Sequence, residues 1–291
     1  MNEMMNGLWT FTAIPVVLDT IAVMGLYVIA NTGRLSVGQA AFCGLGGYCS
    51  AILSVRLALP AAVSIAIGTL FAGVIGLVFA IVADRLSHWF FAITTLAFSI
   101  MVLGLISGMD GLGGANGLYG VPLSVGIVES VLCLLGVLAL IITIDHSAFG
   151  RRMRAVRESE HAAVALGINP LRVRVIAFAI GSATAGLAGG LWCHYLGLVK
   201  PSDLSLDRSL LFLVYLSLGG MEFWGGALLA SIGLGLLPEA LRFSREYRMA
   251  LFGGLLTLVM VLRPAGLFGT IPTLWMARRP KGGNAVEPTT H

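Results

Sequence analysis

Residues 147–174, SAFGRRMRAVRESEHAAVALGINPLRVR, form a polar island between two apolar stretches of about twenty residues each. The island contains six of the sixteen arginines in the chain. An arginine-rich segment between two membrane spans is typical of a cytoplasmic loop, because basic loops stay on the cytoplasmic side during insertion. The sequence therefore predicts a membrane protein with a cytoplasmic segment over residues 147–170.

The composition of the whole chain agrees with this class. Hydrophobic residues make up 57% of the 291 residues, charged residues 11%, and the mean hydropathy is +0.93. A soluble domain carries roughly 25% charged residues. Spans of roughly 20 residues each would fit about eight to ten times into this length. We therefore predict an all-α, polytopic integral membrane protein with broken or re-entrant helices.

The apolar runs follow one another with short interruptions, which predicts a single transmembrane domain over residues 1–275. Residues 276–291 are polar and contain Gly and Pro, so a disordered cytoplasmic tail is expected there. No basic n-region precedes the first apolar run, and we expect that run to be retained as a span. The net charge of +4 lies in loops, without interleaved aromatics that would indicate nucleic-acid binding.

Motifs for catalysis or metal binding are absent from the sequence. A nucleotide-binding P-loop needs GxxxxGK[ST], but neither Lys200 nor Lys281 follows a glycine. The four cysteines lie in apolar stretches without metal-ligand spacing, as buried small hydrophobes do. The sequence predicts no enzyme activity, no catalytic residue, no metal site and no cofactor in this chain.

The glycine-rich stretch TGRLSVGQAAFCGLGGYCSAIL, residues 32–53, allows two interpretations. Its glycines would let helices approach closely in lipid. They would also permit a broken helix, which in transporters lines the substrate path. The polar residues in this stretch that are candidates for lining such a path are Gln39 and Tyr48, and Gly44 lies between them. Whether 36–50 crosses the membrane is left open, as it is for the thirteen-residue run 209–221.

A third stretch, residues 90–122, combines an apolar run with the glycine-rich loop GLGGANGLYGVP. Thr94 and Thr95 in the apolar run are expected to bond their own helix backbone, and they are also neutral candidates for a pore lining. The loop lacks the strand–helix setting of a dinucleotide fingerprint. It is expected to be a flexible extracytoplasmic connection.

Four blocks of this sequence together resemble the permease subunits of branched-chain amino acid ABC importers, the LivM-type family. They are TGRLSVGQAAFCGLGGY, then FFAITTLAFSIMV with GGANGLYGVP, then SAFGRRMRAVRESEHAAVALGI with AGLAGGL, and finally YRMALFGGLLTLVMVLRPAGLFG. They follow the family order from about residue 22 to 269. The resemblance implies a multi-pass permease of the bacterial inner membrane that moves a small solute, such as a branched-chain or other amino acid, by alternating access.

The resemblance also implies partners: a homologous second permease, two cytoplasmic ATPase subunits that bind the ATP, and an extracytoplasmic solute-binding protein. The polar island would hold the coupling helix, predicted over residues 153–168 with Met153, Val156, Ala163 and Leu166 as its apolar stripe. The residues expected to couple to the ATPases are Arg154, Arg157, Glu160, Ala162, Ala163 and Gly167. The residues expected on the substrate path are Gln39, Gly44, Tyr48, Thr94 and Thr95.

Two positions depart from the family pattern. His161 stands where an acidic residue usually precedes the two alanines, and Gly226 stands where a proline usually follows the Trp-Gly pair. Both leave the family assignment in place and put individual contacts in doubt. The alternative function is an ion-coupled secondary transporter or channel, which would place an ionisable group such as Asp19 or Glu239 at membrane depth.

Overall fold

The structure, a computed structural model, describes residues 2–240 and 253–254. Ten α-helices lie within this part of the chain, joined by three short 3-10 turns and one two-stranded ladder. The helices are α1 (Asn2–Ala30), α2 (Gln39–Arg56), α3 (Ala61–Ala83), α4 (His88–Ser107), α5 (Ile127–His146), α6 (Ala148–Glu158), α7 (Glu160–Ala165), α8 (Pro170–Leu196), α9 (Leu206–Gly219) and α10 (Trp224–Ala240). Strands β1 (Leu118–Tyr119) and β2 (Leu198–Val199) pair antiparallel. The all-α prediction is confirmed.

Five helical segments in the described residues are long and apolar enough to cross a membrane. They are Ala13–Ala30, Ala61–Ala83, Trp89–Ser107, Ile127–His146 and Pro170–Leu196. The segment Trp224–Leu237 is apolar but shorter. Apart from residues 253–254, the expected run 249–262 lies outside the described residues, as does the tail 276–291.

Contacts between loops sort the helix ends into two groups. At one end, which we call the basic end, Arg34 contacts Asp84, Arg174 contacts Glu160, and Arg157 contacts Met221. At the opposite end Arg56 bonds the carbonyl of Gly111, and β1 pairs with β2. The chain therefore changes ends along each of α2, α3, α4, α5 and α8, and again between β2 and the turn after α9. The short segment 36–50 contributes to α2, which runs between the two ends, whereas 209–221 belongs mostly to α9, which starts at the depth of Asp19.

Helix α8 forms the centre of the bundle, with α1, α2 and α3 packed around it. Small residues permit this close approach: a Cβ on Gly46 of α2 would overlap the backbone of Gly186 in α8. Outward-facing positions of α3, α4 and α5 are large and apolar, for example Leu70, Ile93 and Leu132. Such a surface suits lipid, since lipid tails impose no cost on exposed hydrocarbon.

The glycines of α2 serve packing, and the helix is continuous from Gln39 to Arg56. The interruption lies just before it, over residues 31–38, where Gly33 adopts a φ of +82°. A Cβ at Gly33 would also lie 3.3 Å from Cα of Arg157. The hypothesis of a broken helix within this glycine-rich run is therefore wrong: the stretch 32–53 is a connection followed by one continuous helix.

Candidate coupling segment and transport path

Helices α6 and α7 form an elbow, residues 147–168, at the basic end. Ser147 starts α6, because its hydroxyl accepts hydrogen bonds from the backbone N–H groups of Phe149 (3.1 Å) and Gly150 (3.3 Å). Ser159 ends α6 and caps α7 by accepting from the N–H of Ala162 (3.3 Å). A serine hydroxyl favours this N-cap position over a helix interior. The prediction of one helix over 153–168 is therefore wrong, and two short helices meet at Ser159.

The predicted apolar stripe divides into a buried part and an exposed part. Met153, Val156 and Ala163 pack into the chain's own core, and Ala163 is only 1% exposed. Leu166 is 75% exposed. The outer face of α7 is thus formed by the small and apolar residues Ala162, Val164 and Leu166. Gly167 lies just beyond α7 with a φ of +76°, as a left-handed helix end requires.

The arginines of α6 fasten the elbow to neighbouring loops. Arg154 pairs with Asp145 at the end of α5 (2.5 Å). Arg157 donates to the carbonyl of Met221 (3.0 Å) and approaches Glu222 (3.5 Å), both in the turn between α9 and α10. These contacts attach the elbow to the turn that follows α9.

A second set of contacts joins α7 to the interruption before α2. Glu160 accepts two hydrogen bonds from Arg174 of α8 (2.7 and 3.2 Å). Arg174 also pairs with Asp84 (3.6 Å), and Asp84 pairs with Arg34 (3.4 Å). Arg34 in turn donates to the carbonyls of Leu86 (2.9 Å) and Asp84 (3.1 Å). We call Glu160, Arg174, Asp84 and Arg34 the ion network.

Burial and neighbouring charges both shift the pKa values of the ion network. Burial raises the pKa of Asp84, although the two guanidinium groups beside it lower it. Burial lowers the pKa of Arg34, and repulsion from Arg174 adds to this effect. The hydrogen bonds from Arg174 lower the pKa of Glu160. Arg34 and Asp84 are buried and depend on their partners for compensation of charge, whereas the side chain of Glu160 is 52% exposed.

A polar cleft of about 660 Å³ opens between the elbow and the ion network. Its walls include Thr32 and Gly33 from the interruption, Arg157 and Ser159 from the elbow, and Arg85 from the turn after α3. Beside the cleft, the elbow is also anchored in the core through Met153, Val156 and Ala163.

The start of α2 lies inside the bundle and is held by contacts with four other helices. The N–H of Ala40 donates to the hydroxyl of Ser209 in α9 (3.0 Å), and the N–H of Val37 donates to that of Thr95 in α4 (3.0 Å). Gln39 donates to the carbonyls of Ala22 (3.2 Å) and Gly181 (3.1 Å). The two hydroxyl groups satisfy backbone N–H groups at the start of α2 that have no partner within the helix.

The five residues expected on the substrate path do not share one surface. Gln39 and Thr95 both hold the start of α2, and both are fully buried. Gly44 lies further along α2 against Leu204. Tyr48 is buried in a separate cluster with Ile106 and Val199.

Thr94 lies apart from this group. Its hydroxyl bonds the carbonyl of Phe90 in its own helix (2.8 Å). That is the backbone bond expected of a threonine in a membrane helix.

An ion pair in the membrane region includes a residue that the sequence analysis missed. Arg208 of α9 pairs with Asp19 of α1 at 2.8 Å. Asp19 was a candidate only for ion coupling, and Arg208 was not a candidate. The polar run DLSLDR at 203–208 was the available signal, since it carries three charges directly before an apolar segment.

This arrangement of long apolar helices with a basic elbow at one end defines a polytopic membrane permease. The chain matches, over residues 9–260, the family described as branched-chain amino acid transport system / permease component. The chain belongs to this family, which is a family of transport permeases and not of enzymes.

Several characterised relatives are similar over long segments. The high-affinity branched-chain amino acid transport system permease protein LivM of Escherichia coli (strain K12) is 31% identical, covering 89% of this chain and 68% of the relative. LivH of the same organism is 34% identical over 47% of this chain and 45% of the relative. The autoinducer 2 import system permease protein LsrC of Yersinia pseudotuberculosis is 28% identical over 70% of this chain and 59% of the relative. No solved structure matches the chain significantly.

Proposed function

We propose that this chain is a permease subunit of an ATP-driven importer for small solutes, of which branched-chain and other amino acids are the first candidates. It acts in the bacterial inner membrane with a homologous second permease, two cytoplasmic ATPases and an extracytoplasmic binding protein. The chain itself carries neither ATP nor a cofactor. The positively charged basic end faces the cytoplasm, in agreement with the distribution of arginines.

The observation that carries this proposal is the connection between the elbow and the interruption before α2. The exposed face of α7 offers Ala162, Val164 and Leu166 to a partner. Behind that face, Glu160 leads through the ion network to Arg34. Closure of an ATPase pair against α7 would therefore displace the segment that precedes the start of α2. Contiguous side-chain networks with two arrangements can carry such coupling.

The experiment compares two arginine substitutions on the elbow in the complete importer, reconstituted in proteoliposomes with ATP inside. Ala162→Arg places a cation on the exposed face of α7, where a small side chain would meet the ATPase. Ala148→Arg makes the same change at an exposed position of α6 and is the matched control. We expect Ala162→Arg to lose ATPase association and uptake, because a desolvated unpaired charge costs several kcal/mol. The control should keep both.

Three outcomes contradict the proposal in different ways. Uptake by Ala162→Arg at the wild-type rate would exclude the outer face of α7 as the docking surface. Uptake driven by an ion gradient without ATP would support the alternative, an ion-coupled transporter. ATP hydrolysis by the purified chain without its ATPases would contradict the assignment of the motor to partner subunits.

A further inference from the structure

The ion pair between Asp19 and Arg208 lies at membrane depth. Asp19 is near the middle of the span Ala13–Ala30, and Arg208 reaches it from the first turn of α9. About one fifth of each side chain is exposed (20% and 17%), so both can be reached from the surface of the isolated chain. Ionisable groups at this depth are costly and usually mark a functional pathway.

The pair is joined by a single contact, which leaves hydrogen-bonding capacity on both partners. Among the described residues, one guanidinium nitrogen of Arg208 bonds one carboxylate oxygen of Asp19 at 2.8 Å. A guanidinium has five N–H donors, and a carboxylate has two acceptor oxygens. The guanidinium also lies 4.0 Å over the ring of Trp192. The indole N–H of Trp192 is buried without a partner in the described part of the chain.

These groups border a cavity that Asp203 also lines, and its other walls are small or apolar. Leu18, Ala22, Gly44 and Gly189 line it together with the charged pair. The cavity measures about 10 Å³, which is room for about one water molecule. In this conformation it is too small for an amino acid, so solute binding would require α1 and α9 to separate and release the pair.

An α-amino acid carries the two charges that such a separation leaves unpaired. Its ammonium group can take the place of Arg208 beside Asp19, and its carboxylate can take the place of Asp19 beside Arg208. The exchange leaves the net charge of the cavity unchanged, so neither Asp19 nor Arg208 is left unpaired in a medium of low dielectric constant. The apolar side chain of the solute would then contact Leu18, Ala22 and Gly44.

The cavity is also connected to the start of α2 and to the elbow, which are the two parts that move in the proposed mechanism. Ser209, the neighbour of Arg208, holds the first turn of α2 through Ala40. The other end of α9 leads to Met221, which accepts a hydrogen bond from Arg157 of the elbow. A shift of the elbow can therefore move Arg208 relative to Asp19.

We propose that Asp19 and Arg208, with Trp192, form the site that holds an α-amino acid zwitterion during transit, and that their ion pair closes this site when it is empty. The inference rests on the proposed function and adds the location and the chemistry of solute binding. The competing explanation is that the pair only fastens α1 to α9.

The test uses the complete importer in proteoliposomes, with radiolabelled leucine delivered by saturating binding protein. The double variant Asp19→Asn, Arg208→Gln removes both charges and keeps polar side chains, so no unpaired ion is left behind. Its matched control is Arg56→Gln, Asp110→Asn, which makes the same changes at exposed positions of the opposite end. Uptake and ATP hydrolysis stimulated by the binding protein are measured on the same preparations.

We expect at least tenfold slower leucine uptake by the Asp19→Asn, Arg208→Gln variant, with stimulated ATP hydrolysis retained, and no change in the control. Uptake within twofold of wild type would overturn the inference and leave the pair as a fastener. If that double variant does not assemble, Arg208→Lys is tested instead. It keeps the positive charge but loses the paired N–H donors of the guanidinium group and much of the stacking on Trp192. It should also slow uptake, and unchanged uptake would overturn the inference. A wild-type complex without ATP-dependent uptake would instead refute the proposed function.

Discussion

Replacing Asp84 tests the ion network most directly, because this carboxylate joins two buried arginines. In Asp84→Leu, Arg34 and Arg174 lose their shared counterion, although each keeps another contact. Arg34 still bonds the carbonyls of residues 84 and 86, and Arg174 still pairs with Glu160. Removing one partner of a buried pair costs about 3–5 kcal/mol. Because these contacts remain, we expect the free energy of unfolding to fall by about 3 kcal/mol.

A second variant separates stability from coupling. In Arg34→Met, Asp84→Leu, apolar side chains replace both partners, and such replacements are often neutral or stabilising by about 1–4 kcal/mol. Its thermal stability should recover toward wild type. The contacts between Glu160 and the interruption before α2 would still be broken. We therefore expect assembly with the ATPases and ATP hydrolysis, but little uptake.

Thermal unfolding in detergent can be followed with a thiol-reactive dye, since Cys43 and Cys193 are buried and react only on unfolding. Uptake and ATP hydrolysis are measured in proteoliposomes. The control Arg85→Met changes the exposed neighbour of Asp84 and should alter stability by no more than about 0.5 kcal/mol. An unchanged melting temperature for Asp84→Leu would refute the stability argument. Wild-type uptake by Arg34→Met, Asp84→Leu would refute the coupling argument.

Two further predictions concern packing and pH. Gly44→Leu should abolish uptake, because a Cβ at Gly44 already overlaps the side chain of Leu204 and overpacking costs about 1–3 kcal/mol. Adding Leu204→Ala should restore part of the uptake. No restoration would mean that the contact with Leu204 is not the cause of the loss. The pKa of Glu160 is lowered in the folded chain, so its stabilising contribution is present above the ordinary glutamate pKa and is lost as pH falls through the lowered value. Glu160→Gln should therefore flatten the acid limb of thermal stability, and an identical pH profile in wild type and variant would contradict this.

The class of protein and the position of the elbow could be predicted from sequence, because both depend on local composition. Helix bounds within the elbow were harder to predict. Ser159 carries a clear N-cap signal, but the apolar spacing from Met153 to Leu166 favoured one continuous helix. The apolar spacing alone does not show that Ala163 faces the chain's own core while Leu166 faces outward.

The polar contacts could not be predicted, because they join residues far apart in sequence. Arg34 and Asp84 are separated by 50 positions, and Asp19 and Arg208 by 189. Periodicity also does not distinguish Thr95, which holds Val37, from Thr94, which bonds its own helix. A helix that is apolar on all sides gives no indication of which face is buried in protein. Arg208 was visible in the sequence only as a charge at the start of an apolar run.

Helix α9 connects the two halves of the proposed mechanism. Its fourteen residues span about 21 Å, short for a membrane helix but long enough to reach from the cavity to the elbow. Its first turn carries Arg208 and Ser209, which contact Asp19 and the start of α2. The turn after it accepts a hydrogen bond from Arg157 at Met221. A rigid helix held at both ends by polar contacts moves as a unit, so the same displacement that repositions the elbow can open the ion pair. In the proposed mechanism the length of α9 matters, because the helix reaches from Arg208 at its first turn to the turn that contacts Arg157.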